Sequence, residues 1–137
     1  MTASLSPAPA ASSICDFEQT RFDRALALLN DADPRARVAL DAETGLAVGA
    51  DVSVTMPMPA AARVLPMSDR SAAAAVLFID RFGPMFGVAG WHVLEPRFAS
   101  PIGTSIWLTF AAQTSRGELL VNVCVDGEVV KNVRIER

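Results

Sequence analysis

The sequence predicts an α+β domain in which an antiparallel sheet wraps a buried central helix over about residues 70–82. Three observations predict it. Residues 72–79 read Ala-Ala-Ala-Ala-Val-Leu-Phe-Ile, and a helix that is apolar all round is expected to be buried on most sides. Further on, Ile106, Leu108 and Phe110, then Leu119, Val121, Val123 and Val125, recur with the period of two that marks half-buried strands. Asp126-Gly127 between two such stretches signals a two-residue hairpin, with Val129, Val133 and Ile135 on the last strand. A chain of 137 residues, 51% hydrophobic and 20% charged, has the size and balance of one folded domain.

Each element follows in order. Residues 1–12 are mostly Ala, Ser and Pro with no charged side chain, and read as a disordered tail ahead of a single domain over residues 13–137. They lack the basic start and apolar middle of a secretory signal, so a cytoplasmic protein is expected. A first helix is expected from Asp16, which can cap free amides, with Gln19 as the reciprocal partner. Phe22, Ala25, Leu26 and Leu29 share one face, and Asn30, Asp31, Asp33 and Pro34 end it. Residues 36–55 alternate as one or two strands around a Thr44-Gly45 turn, and Met56-Pro57-Met58-Pro59 stops the pairing. Ser68 or Asp69 is expected to cap the central helix, and Gly83-Pro84 to break it. Trp91, Val93 and Phe98 fall on the strand that follows.

Composition excludes several functions. A net charge of −3 gives no basic stripe for nucleic acid. The longest apolar run falls short of the roughly 18 residues that a membrane span needs. One histidine, His92, and two cysteines, Cys15 and Cys124, leave too few ligands for a zinc or iron site, and no metal or tightly bound cofactor is expected. The cysteines read as buried thiols, with a disulfide left open. Neither a Gly-x-Ser-x-Gly elbow nor a glycine-rich phosphate loop is present, which weighs against a Ser–His–Asp triad through His92 and against nucleotide chemistry.

Particular residues carry a resemblance. Val76-Leu77-Phe78-Ile79-Asp80, residues 96–103 (Pro-Arg-Phe-Ala-Ser-Pro-Ile-Gly) and residues 125–130 (Val-Asp-Gly-Glu-Val-Val) resemble motifs of the hotdog superfamily. More narrowly they are similar to its small 3-hydroxyacyl-[acyl-carrier-protein] dehydratases, over roughly residues 38–136. The alternative is a cone of the nuclear-transport-factor or ketosteroid-isomerase type, an isomerase or small-molecule binder, which also joins an early helix to a terminal meander.

The resemblance implies a dimer acting on, or holding, acyl groups on acyl carrier protein or coenzyme A in fatty-acid or polyketide metabolism. Asp80 matches the family's helix acid, its carboxyl beside a dry tunnel that disfavours ionisation. Phe78, Phe82, Met85 and Phe86 would line the acyl tunnel, and Arg63 and Arg70 would meet a pantetheine phosphate. The family's histidine has no counterpart, since an ungapped match puts Pro66 there. Three expectations follow. The chain is a subunit whose partner, itself or a histidine-bearing hotdog chain, completes a dehydratase site; or a thioesterase using Asp80; or a non-catalytic acyl-binding or scaffold protein.

Overall fold

A computed structural model describes residues 9–88, 94–114 and 117–136, with side chains from residue 19 onward. Two helices, α1 (Pro9–Ala32) and α2 (Met67–Phe82), accompany six strands: β1 (Arg37–Leu40), β2 (Ala47–Thr55), β3 (Leu94–Ile102), β4 (Ser105–Thr114), β5 (Gly117–Asp126) and β6 (Val129–Glu136). All pairings are antiparallel. The strands form one sheet in the order β1-β2-β6-β5-β4-β3, so the strand that precedes α2 lies beside the last strand of a four-strand meander. The expected α+β class holds.

α1 begins at Pro9, ahead of Asp16 and inside the stretch expected to be disordered. Alanines at 10 and 11 favour helix, and a proline is tolerated in the first turn because its missing N–H has no partner there anyway. Phe22, Ala25 and Leu29 are buried, as their three- and four-residue spacing requires. Beyond the helix, the Asp33 carboxylate accepts from the Arg35 and Ser53 amides at 3.0 and 2.8 Å, tying the end of α1 to β2.

Residues 36–55 resolve into two strands joined by a turn with Gly45 at φ 72°. Alternation on β5 is strict: Leu119, Val121, Val123 and Val125 are all at most 4% exposed. Full burial of each such side chain is worth about 1.5–3 kcal/mol. The hairpin turns on Gly127-Glu128, one residue later than expected, because Asp126 still pairs with Val129 at the end of β5; Gly127 takes φ 66°, a conformation that costs glycine little.

Neither Ser68 nor Asp69 caps α2. The helix starts earlier, behind Pro66, and no side chain closes its first turn. Nor is it buried all round. Ser71, Ala74, Ala75, Phe78, Ile79 and Phe82 are buried, whereas Val76 is 41% exposed. One stripe therefore seats on the sheet, across β4, β5 and β6. Gly83 ends the α-helix and a 3-10 turn, Gly83–Phe86, follows. A Cβ at Gly83 would stand 2.6 Å from the Val88 carbonyl oxygen, so the chain doubles back there only without a side chain.

Candidate functional site

The side of α2 that faces the sheet gathers the expected wall residues. Phe78, Phe82, Met85 and Phe86 are each at most 2% exposed, and the Phe78 and Phe82 rings lie 4.7 Å apart at 52°. They belong to one core with Leu108, Phe110, Val121 and Val123. The sequence expects these four on the wall of an acyl tunnel; in this single chain they lie together, closed against protein.

Asp80 lies elsewhere. It follows Val76 by four residues, so the helix period sets both on the side opposite Ser71, Ala74 and Phe78. The residue is exposed, not enclosed by this chain in a water-poor slot. An apolar run of eight residues fills more than two turns, and only part of any turn can face the sheet, so the residue after the run takes the side that its position dictates. The four alanines divide in the same way: Ala74 and Ala75 are fully buried, Ala72 and Ala73 only partly.

The two arginines differ. Arg63 stands exposed on the short turn Ala60–Val64. Arg70 is partly buried, and its Nη1 donates to Glu128 Oε1 at 3.5 Å across the β5–β6 hairpin. Its Nε is buried and meets no acceptor among the described residues. Beside it Ser71, 2% exposed, donates from Oγ to the Gly127 carbonyl at 2.6 Å. The start of α2 is thus held on the hairpin by one hydroxyl and one ion pair. Sequence reasoning missed this clamp. Its signal was a single hydroxyl on the buried stripe, because a polar group at such a position needs a partner.

The outer face of the sheet carries paired polar side chains beside Trp107, Leu120 and Phe98. Thr109 Oγ1 donates to Asn122 Oδ1 at 2.6 Å, Arg134 Nε to Asn132 Oδ1 at 3.1 Å, and Asn132 Nδ2 to Asp51. Cys124 lies on this face as a half-buried free thiol. Desolvation raises its pKa above the ordinary value, a hydrogen bond with Ser105 opposes that, and Asp126 adds to the rise. At the end of the sheet Arg97 bridges Glu95 and Glu118 at 2.8 and 3.1 Å, and its pKa is raised by the Glu95 hydrogen bond and then by the Glu118 charge.

His92 and Trp91 lie outside the described residues, as does the Cys15 side chain. Among the described residues no three of His, Cys, Asp and Glu converge as metal ligands, and no helix is long and apolar enough to cross a membrane. The helix thus offers a carboxylate, Asp80, beside Arg81, with an apolar core behind it. No family model, curated protein or solved structure matches this chain.

Proposed function

We propose that this chain is a hotdog-type domain that acts on or holds acyl groups carried as thioesters of coenzyme A or acyl carrier protein. The observation that carries the reading is topological. α2 packs on β4, β5 and β6 of a sheet ordered β1-β2-β6-β5-β4-β3, built from the two strands before the helix and the meander after it. The residue motifs around Asp80, Arg97-Phe98 and Asp126-Gly127 support the same reading.

In this reading Asp80 is the acid–base group. Its carboxylate takes a proton from water as the water oxygen attacks the thioester carbonyl carbon. The carbon–sulfur bond then breaks, and the same proton passes to the departing thiolate. Dehydration of a 3-hydroxyacyl group would instead need a proton-abstracting histidine from a partner chain, because Leu65-Pro66-Met67 supplies none.

The test is thiol release from a panel of acyl-coenzyme A substrates of increasing chain length, using the purified chain. Turnover that falls by about 10²-fold or more in Asp80→Asn, with the circular dichroism spectrum unchanged, supports the reading. Binding without turnover assigns the holding role. Neither turnover nor binding across the panel, with the chain alone or beside a histidine-bearing hotdog partner, overturns it.

A further inference from the structure

We propose that the turn before α2 seats this chain on an anionic lipid surface, with Val64, Leu65 and Met67 entering the headgroup layer and Arg63 meeting lipid phosphate. The chain would lie on the membrane and not cross it. Of the eight large apolar side chains left exposed among the described residues, three fall within residues 64–67, and Val64, at 85%, is the most exposed of them. Single exposed apolar residues need no explanation, whereas a cluster of them marks a surface that meets something.

Local structure accounts for the exposure. Met56 and Met58 are buried, Ala62 packs against the core, and the Met56 amide donates to the Glu128 carbonyl at 3.1 Å. The turn Ala60–Val64 is therefore anchored at these points and projects between and beyond them. From Pro59 to Asp69 every residue except Ala62 is exposed. A projecting turn has no walls with which to grip a small ligand, and it suits a layer that yields around it. The backbone also fits a water-poor layer. Pro57, Pro59 and Pro66 have no N–H, and the Ala62 and Leu65 amides donate to the Pro59 and Ala62 carbonyls at 2.9 and 3.1 Å. None of these positions leaves a main-chain donor to be stripped of water on entry.

Charge selects the kind of lipid. Arg63 is the only charged side chain between Asp51 and Asp69. It is exposed and makes no hydrogen bond or ion pair among the described residues. A cation beside apolar groups matches an anionic headgroup above acyl chains, and the long arginine stem can keep the guanidinium at phosphate level. Of the acids nearby, Glu128 is engaged by Arg70, and Asp69 comes after Met67 at the start of α2. The whole chain carries a charge of −3, so attachment needs the apolar and the cationic parts together. It does not depend on the acyl-thioester reading, since it requires no turnover.

Cosedimentation of the full chain with lipid vesicles decides the matter, with circular dichroism to confirm folding. With vesicles of phosphatidylcholine and phosphatidylserine, about 2:1, at roughly 1 mM lipid, a substantial fraction is expected to sediment, and several-fold less with phosphatidylcholine alone. Val64→Ser/Leu65→Ser is expected to weaken binding about tenfold or more. Arg63→Ala is expected to weaken binding to the anionic vesicles about fivefold and to leave the neutral ones unaffected. Phe98→Ser, which removes a ring 70% exposed on β3, should leave binding as it was. No sedimentation with the anionic vesicles, equal binding to both kinds, or indifference to both turn variants overturns the proposal. So does binding that Phe98→Ser abolishes, or a protein partner that the turn variants release while vesicles bind nothing.

Discussion

β5 and β3 belong to one sheet, and the same ladder of backbone pairing reaches both, yet they share almost nothing in burial. On β5 every second residue from Leu119 to Val125 is shut in the core. On β3 every residue from Glu95 to Ile102 is exposed, with Phe98 at 70% and Ile102 at 61%. Two causes act. Phe98 and Ile102 pair with Thr109 and Ser105 and so stand on the outer face, away from α2, while on the inner face the packing of α2 centres on β4, β5 and β6. A strand's alternation sets which side chains share a face, and the neighbouring layer decides whether that face is dry. Arg97, Phe98 and Pro101, which carry part of the family resemblance, therefore take no part in this chain's core.

The largest break in that contrast is Phe78→Ala. It empties the contact between α2 and the strands beneath it and is expected to cost about 3–5 kcal/mol, read by denaturant unfolding. Next is Gly83→Ala. The new methyl meets the Val88 carbonyl, and a loss of about 1–3 kcal/mol is expected in the same assay. Phe98→Ser, on the uncovered strand, is expected to move stability by no more than about 0.5 kcal/mol despite removing a ring. A large loss there would mean that β3 is covered in solution.

The smallest effect concerns Cys124. Its folded pKa is raised, so the fold favours the neutral thiol. Its contribution to stability is fully present below the free-thiol pKa and is lost as pH rises through the folded value. Alkylation of the native protein at pH 8 should be slower than that of a free cysteine and gain with pH. Cys124→Ser should flatten the alkaline fall in stability.

Where the sequence could be read, the reason is local. The alternation of β5 and the hairpin after it depend on neighbours two or three residues away; the first stands as expected and the second falls one residue later, on Gly127-Glu128. The faces of α2 were equally available from the spacing of Ala74, Ala75, Phe78 and Phe82. Reading the run as uniformly apolar hid the fact that Asp80 shares a side with Val76. The Arg70–Glu128 and Ser71–Gly127 contacts join residues 58 and 56 positions apart, and no local pattern encodes such a meeting. The start of α1 was missed because an uncharged Ala-Ser-Pro stretch gives no periodic signal, while alanine still favours helix.

Pro96 and Pro101 both lie on β3, at the rim of the sheet. Proline has no hydrogen to offer, and it is tolerated there because its nitrogen can turn to the unpaired side. A stray extended peptide approaching that flank would find oxygens to accept from it and too few hydrogens to give back. The flank is thereby a poor template for fibril growth, and any specific visitor must read Phe98 and Ile102 by their shapes and not borrow the ladder.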